Sequence, residues 1–282
     1  MDYGTSFKTG LIVSKSSRGS RFSVAQQSNT LPIQATLDRL HGLHLGAMAD
    51  AYLAQHQDPA TAALGFDERL GLLVDAEHLF RDNRKLARRL KEAKLRIAHA
   101  CLEDIEYAPR RELDRSLLRQ LATGRWILEH HNVLITGATG VGKTYLACAL
   151  GQQACRQGYR ALSRRLPRLF QELALARADG SYPTLLACLA RIDCLIVDDW
   201  GIGRVTDVQR QDLLEVMEDR DAARSTISTS QLPRDQWHDY LGDPTVADAV
   251  LDRLVHHAYT IALNGPSRRK EKTDKAEKTD AR

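Results

Sequence analysis

The stretch Gly137-Ala138-Thr139-Gly140-Val141-Gly142-Lys143-Thr144 decides the fold, because it contains the complete pattern G-x-x-x-x-G-K-[ST]. Residues 131–136 before it are typical of a buried strand, and residues 145–150 after it are typical of a helix. A glycine-rich turn that matched the pattern by chance would not be expected to lie between a strand and a helix. In such a loop, successive backbone N–H groups and the positive end of the helix face an anion. All eight residues are therefore predicted to bind ATP, with Lys143 on the β- and γ-phosphates and the Thr144 hydroxyl on Mg²⁺.

The composition is that of an ordinary globular protein: of 282 residues, 43% are hydrophobic and 27% are charged. No apolar run approaches the roughly 20 residues that span a bilayer, and the polar N-terminus does not resemble a secretory signal. The five cysteines form no C-x-x-C pair, which is typical of reduced thiols. We therefore expect a cytoplasmic protein with no membrane partner. No H-E-x-x-H motif occurs, so the sequence supports no metal other than Mg²⁺.

The pattern along the chain divides it into two folded blocks and two tails. Residues 1–30 are polar and aperiodic, and residues 266–282 are highly charged, so both are predicted to be flexible tails. Residues 31–108 are predicted to form a small all-helical domain, and residues 109–265 the ATPase domain. Apolar residues of the helical block recur at helical spacing and stack on one helix face; they are Leu72, Ala76, Leu79, Leu86, Leu90, Ala93 and Ile97.

The second block alternates strands with helices, which predicts an α/β fold with a parallel sheet flanked by helices. Thr206 and Gln209 have the spacing of a helical capping box, and Pro167 suits the first turn of a helix. The predicted strands are 131–136, 159–162, 194–198, 225–229 and 259–263. The predicted helices follow the phosphate loop and cover 166–178, 206–221 and 245–257.

The apolar strand Leu195-Ile196-Val197 ends in the paired carboxylates Asp198 and Asp199, about fifty residues after the loop. Mg²⁺ prefers oxygen ligands, so Asp198 is predicted to hold it directly or through water, and Asp199 to orient the water that attacks the γ-phosphate. The alternative is an acidic pair that caps a turn. The preceding phosphate loop favours the functional interpretation. Aspartate is one methylene shorter than the glutamate of many ATPases, which could slow hydrolysis.

Two further residues are candidates for catalysis. Ser230, with Thr229 as second choice, ends a strand that we expect between the other two, close to the attacking water; local backbone hydrogen bonding is the alternative. Arg253 lies on a predicted helix and could reach the γ-phosphate of a neighbouring subunit. On the residues alone, an ordinary ion pair is the better interpretation of Arg253.

Positive charge is concentrated on one predicted helix. It contains Arg81, Arg84, Lys85, Arg88, Arg89, Lys91, Lys94 and Arg96, against only Asp82 and Glu92. The pattern favours salt-dependent binding to a row of phosphates, with a solvated helix face as the alternative. Because no aromatic residues alternate with the charges to stack on bases, duplex DNA is the predicted partner.

Together these features resemble the IstB family, the helper ATPases of bacterial insertion sequences, and more distantly the helicase loader DnaC. The resemblance covers about residues 33–270. Its segments are Asn132 to Gly137, Arg164 to Leu169, Ala176 to Tyr182, Val197 to Gly201, Thr229 to Pro233 and Leu251 to Leu254.

The resemblance implies an AAA+ fold behind an N-terminal helical DNA-binding region. It also implies ATP-driven assembly of many copies around DNA and delivery of target DNA to a partner transposase. Aspartate at position 199 is normal for such proteins, and Arg253 matches the helix that carries their trans-acting arginine. Ser163 and Ser228 depart from the pattern, since bulkier residues are expected there.

We therefore expect an Mg²⁺-dependent ATPase that assembles on duplex DNA and helps a transposase select its target. A helicase loader of the DnaC type is the first alternative, since the core motifs barely distinguish the two. A P-loop kinase that acts on a small molecule is the second. Against it, no acceptor-binding lid is evident, and the basic helix would have no role.

Overall fold

The computed structural model describes residues 24–107 and 113–268. The chain forms two compact units, one ending at Asp82 and the other beginning at Asn83, so the division falls within one long helix. The predicted N-terminal tail lies outside the described residues up to position 23, and a helix occupies positions 24–30. The C-terminal tail lies outside them from position 269. The predicted boundary at position 108 also falls outside them and stays a prediction.

The first unit is helical, as predicted. Its helices are α1 (Val24–Gly42), α2 (Gly46–Gln57) and the first part of α3 (Phe66–Ala93). Ala49 of α2 and Leu73 of α3 are buried. The Glu77 carboxylate accepts hydrogen bonds from Arg81 Nε at 2.8 Å and from the Met48 N–H at 3.1 Å. The bond from Arg81 is the main cause that lowers the pKa of Glu77.

The apolar face predicted for α3 is buried only in part. Leu86 and Leu90 pack against the core of the second unit. Leu72 and Leu79 have the same helical phase but are 48% and 63% exposed, while Leu73 is buried in the first unit. The buried face changes along α3 because each half of the helix packs within its own unit.

Among the described residues, the second unit contains the second part of α3, a sheet and eight further α-helices. The strands are β1 (Asn132–Gly137), β2 (Ala161–Arg165), β3 (Cys194–Trp200), β4 (Ser225–Ser230) and β5 (Ala258–Leu263). The helices are α4 (Arg115–Ala122), α5 (Arg125–Leu128), α6 (Lys143–Arg156), α7 (Leu166–Asp179), α8 (Tyr182–Ala190), α9 (Asp207–Glu218), α10 (Trp237–Leu241) and α11 (Pro244–Val255). Every predicted strand and long helix is present, and the capping box of Thr206 and Gln209 forms at the start of α9.

The sheet has five strands in the order β2-β3-β4-β1-β5, and every neighbouring pair is parallel. The predicted α/β fold is therefore confirmed, and β4 lies between β3 and β1 as expected. In a parallel sheet the carboxyl ends of all strands meet at one edge. The phosphate loop after β1, the aspartates of β3 and the hydroxyl groups at the end of β4 consequently share that edge.

Two hydrophobic clusters cover the two faces of the sheet. Leu134, Leu195 and Val197 belong to one cluster, whereas Val133 and Ile196 belong to the other. This division follows from the alternation of side chains along a strand. Both faces are thus buried, as expected for parallel strands of nearly continuous apolar sequence.

The buried guanidinium of Arg220 holds together the segments at the amino edge of the sheet. Its side chain donates to the carbonyl groups of Leu189, Ile192 and Ser225 at 2.6, 2.8 and 2.5 Å, and to Thr226 Oγ1 at 3.1 Å. Burial lowers the pKa of Arg220 to about 10. In the part of the chain that the structure describes, no helix has the length and apolar character needed to cross a membrane.

Candidate nucleotide site

The phosphate loop joins β1 to α6 at the carboxyl edge of the sheet. Gly142 caps the start of α6 with a φ of 107°, and Gly137 has a φ of 143°. A β-carbon at Gly137 would clash with the carbonyl group of Leu263 on β5. Glycine is therefore required there both by the backbone conformation and by the close approach of the neighbouring strand. The positive end of α6 faces the loop, which suits an anion.

The Lys143 side chain lies folded against its own loop. Its Nζ donates to the carbonyl groups of Gly137 at 2.7 Å and Ala138 at 2.9 Å. Burial lowers the pKa of Lys143, while the charges of Asp198 and Asp199 act in the opposite direction. The ammonium group is thus already largely removed from water and is held where a bound triphosphate would lie.

Asp198 at the end of β3 is the centre of a cluster of oxygen atoms. Its side chain is 2% exposed, and its carboxylate accepts hydrogen bonds from Thr144 Oγ1 at 2.9 Å and from Thr229 Oγ1. Carboxylate and hydroxyl oxygens are the ligands that Mg²⁺ prefers. The structure therefore brings together the two residues predicted to hold the metal, Thr144 and Asp198, and their chemistry fits it.

Asp199 is turned toward the same side of the sheet by its backbone. Side chains alternate along a strand, so Asp198 and Asp199 would ordinarily point to opposite faces. The register between β3 and β4 shifts between Val197 and Trp200, and Asp199 has a left-handed φ of 65°. This conformation is uncommon for a residue other than glycine, although aspartate tolerates it better than most. Both carboxylates consequently face the loop.

Two arginines contact this carboxylate pair. Arg165, the last residue of β2, donates from Nε to Asp199 Oδ2 at 2.6 Å. Arg96 donates from Nη1 to Asp198 Oδ2 at 3.0 Å and to Asp199 Oδ2 at 3.3 Å. The sequence analysis grouped Arg96 with the basic helix and missed its place here, and it assigned no role to Arg165. The position of Arg165 at a carboxyl strand end was a signal that could have identified it.

A cavity of about 360 Å³ opens between the loop and these residues. Among the described residues, four cationic side chains line it, namely Lys143, Arg96, Arg165 and Arg268. The backbone N–H of Arg268 donates to the Gly140 carbonyl at 3.0 Å, and its side chain pairs with Glu106. The positive charges outnumber the two aspartates, so the cavity suits a polyphosphate.

The two hydroxyl groups at the end of β4 have different partners. Thr229 Oγ1 donates to Asp198 and accepts a hydrogen bond from the Asp199 N–H at 3.2 Å. Ser230 Oγ instead donates to the Trp200 carbonyl at 2.9 Å and accepts from the Leu232 N–H at 3.0 Å. Thr229, the second choice of the sequence analysis, therefore contacts the acidic pair, and Ser230 bonds to backbone.

Arg253 lies away from the phosphate loop of its own chain. The Asn132 side chain, at the start of β1, donates to the Arg253 carbonyl at 2.9 Å. Asn132 and the loop end of β1 at Gly137 are five residue steps apart, a distance of about 17 Å. The Arg253 guanidinium donates to Glu218 Oε1 at 2.6 Å and to the Ala249 carbonyl at 2.7 Å. The structure does not bring Arg253 to the cavity described above.

The residues predicted to bind DNA lie on the second half of α3 and directly after it. Of these seven, all but the half-buried Arg89 are exposed. Leu86 and Leu90, on the opposite side of the helix, pack against the core. Arg88 Nε lies 4.0 Å from Glu92 Oε1, an exposed ion pair of little energy. The basic surface, defined here as Arg81, Arg84, Lys85, Arg88, Arg89, Lys91 and Lys94, is thus presented to solvent.

The fold and the loop together define the class: the chain has the parallel α/β fold and the phosphate loop of an ATP-binding protein. Its fold is similar to that of AMPPCP-bound DnaA from Aquifex aeolicus, with a TM-score of 0.51 and 19% identity, over 66% of this chain and 56% of that one. It is also similar to DnaI, with a TM-score of 0.50 and 21% identity, over 59% of this chain and 92% of that one. At such identities the likeness concerns the fold alone.

The sequence comparisons identify the family more narrowly than the fold does. Residues 38–276 match the model of the IstB-like ATP binding proteins, and the chain belongs to this family. It is 54% identical to the insertion sequence IS1162 ATP-binding protein of Pseudomonas fluorescens, over 71% of this chain and 87% of that protein. It is 31% identical to the insertion sequence IS21 ATP-binding protein of Pseudomonas aeruginosa, over 86% and 91%. The resemblance inferred from the motifs is confirmed.

Proposed function

We propose that the chain is an Mg²⁺-dependent ATPase that assembles on duplex DNA and helps a partner transposase engage its target. The observation that carries the proposal is the acidic pair Asp198 and Asp199, held at the open edge of the sheet beside the phosphate loop. ATP binding alone would need the loop and Lys143. A buried carboxylate bonded to Thr144, with a second carboxylate beside it, is the arrangement that hydrolysis requires in addition.

In this proposal Thr144 and Asp198 hold Mg²⁺, which neutralises charge on the β- and γ-phosphates when it is bound. Lys143 exchanges its loop carbonyl partners for phosphate oxygens. Asp199 orients the attacking water once Arg165 and Arg96 release its carboxylate. Thr229, bonded to Asp198 and to the Asp199 backbone, keeps both carboxylates in place. We assign this positioning role to Thr229 rather than to Ser230.

We propose further that Arg253 acts in trans. Its carbonyl is bonded to the start of β1, about 17 Å from the loop of its own chain, so we infer that it serves the γ-phosphate of a triphosphate bound to a neighbouring copy. It would then leave Glu218, which is half-exposed and holds it by a weak surface ion pair. ATP bound between two copies would thus stabilise their interface, and hydrolysis would weaken it.

Assembly explains how weak DNA contacts become useful. Each copy presents one basic surface, and its exposed side chains give salt-dependent, sequence-independent attachment. Copies joined through ATP align many such surfaces along one duplex, and the linked contacts bind far more tightly than any single one. Reversing the charge of Arg84, Arg88 and Lys91 should therefore weaken DNA binding and flatten its salt dependence.

The proposed partner is a transposase, because the chain belongs to a family whose relatives are by name ATP-binding proteins of insertion sequences. A helicase loader is the second candidate, and the structural likeness to DnaI supports its fold only. The kinase alternative gains no support from the described residues of the site, where four cationic side chains line the cavity. Target integration by a partner transposase, measured with and without this protein and ATP, tests the proposal. Integration that is unchanged by the protein would refute it.

A further inference from the structure

Arg96 occupies the place that the metal site needs. Its Nη1 atom lies 3.0 Å from Asp198 Oδ2 and 3.3 Å from Asp199 Oδ2, so one guanidinium bridges both carboxylates. The rest of the Asp198 carboxylate accepts hydrogen bonds from Thr144 and Thr229. Both oxygens of Asp198 therefore already accept hydrogen bonds, Oδ1 from Thr144 and Thr229 and Oδ2 from Thr144 and Arg96. A divalent cation at the same carboxylate would meet the positive charge of Arg96 at close range.

The Arg96 side chain is only partly buried. It is 42% exposed, in contrast to the 2% of Asp198, and it lines the same cavity as Lys143. It is not on a helix, because α3 ends at Ala93 and the chain turns at Lys94 with a φ of 49°. A triphosphate in the cavity would offer it anionic oxygens in place of the carboxylates. Guanidinium groups suit phosphate because they can donate two parallel hydrogen bonds.

We propose that Arg96 is a nucleotide-binding residue that exchanges the aspartate pair for the triphosphate of ATP, and that this exchange opens Asp198 to Mg²⁺. The inference rests on the proposed function, in which Asp198 holds the metal. In the absence of nucleotide, Arg96 neutralises the acidic pair and keeps the metal out. With nucleotide bound, the same side chain adds to the affinity for phosphate. Arg96 thus makes metal binding at Asp198 follow nucleotide binding.

Two equilibria measured on Arg96→Gln test this exchange, because they should move in opposite directions. The affinity for a fluorescent ATP analogue, measured in EDTA, should fall roughly tenfold, the size of one charge-assisted hydrogen bond. The affinity for Mg²⁺ alone, measured from thermal stabilisation of the full chain in a magnesium series, should rise by a similar factor. Arg96→Lys should retain most of the nucleotide affinity, since it keeps the charge.

Arg168→Gln is the matched control, since Arg168 is an exposed arginine that pairs with Glu172 outside the cavity. It should leave both equilibria unchanged. If Arg96→Gln weakens both affinities, or changes neither, the exchange is refuted while the ATPase proposal stands. Asp198→Asn distinguishes a failure of the Arg96 exchange from a failure of the proposed metal site. If it leaves the stimulation of nucleotide binding by Mg²⁺ intact, the proposed metal site is wrong, and the inference about Arg96 fails with it.

Discussion

Replacing Lys143 with alanine removes the ammonium group from the phosphate loop, and the structure allows the loss of ATP affinity to be worked out. In the free protein the Nζ atom makes two hydrogen bonds to carbonyl groups, at 2.7 and 2.9 Å, and is already largely buried. Binding ATP exchanges these partners for anionic oxygens at little further cost in desolvation. Two bonds between ionised groups at about 1.5–3 kcal/mol each, less two bonds to carbonyls at about 1 kcal/mol each, leave about 1–4 kcal/mol, with about 2.5 kcal/mol at the middle of that range. The dissociation constant should therefore rise roughly 70-fold.

Titration of a fluorescent ATP analogue, followed by polarisation, measures this constant directly. Lys91→Ala is the control, because Lys91 is an exposed lysine on the basic surface and lies outside the cavity. Thermal unfolding without nucleotide should show that the Lys143 variant is folded. A folded Lys143→Ala protein that binds the analogue within about threefold of wild type would refute the assignment of the loop.

Three further predictions concern stability and turnover. Arg220→Met should destabilise the second unit by about 3–5 kcal/mol in urea unfolding, because it leaves buried carbonyl groups without a donor; a loss below about 1 kcal/mol would contradict this role. The pKa of Glu77 is lowered in the folded protein, so its stabilising effect is complete above its ordinary pKa of 4.5 and is lost as the pH falls through the lower folded value. In Glu77→Gln the melting temperature should accordingly fall less as the pH is lowered. The same fall as in wild type would contradict this. Asp199→Asn should preserve ATP-dependent assembly but stall hydrolysis. If the variant releases phosphate at the wild-type rate, Asp199 has no role in catalysis.

Much of the second unit could be predicted because local signals and tertiary structure agree there. The complete loop pattern, the alternation of strands with helices and the capping box at Thr206 all depend on near neighbours in sequence. The central place of β4 was also predicted, since the strand at 225–229 leads into hydroxyl groups that were expected beside the site. The short helices α4, α5, α8 and α10 were missed because too few residues define their periodicity.

The contacts of Arg96 could not be predicted, because Arg96 and Asp198 are 102 positions apart and meet only through the turn after α3. The orientation of Asp199 depends on a bulge and a left-handed backbone that no local pattern signals. The choice between Thr229 and Ser230 depends on which side chain of β4 lies on the same face of the sheet as the Asp198 carboxylate, and a shift of one position reverses it. On α3, periodicity identified an apolar face. It could not show that Leu72 and Leu79 remain exposed, because burial depends on which elements pack against the helix.

Particle mass on a long duplex, measured with and without magnesium and ATP, tests most directly whether a triphosphate shared between copies builds the assembly. DNA alone should carry one copy or a few, and large particles should form only when DNA and nucleotide are both present. Arg253→Ala should keep nucleotide affinity but abolish the large particles. Particles that remain the size of a single chain on DNA at saturating nucleotide would contradict the account.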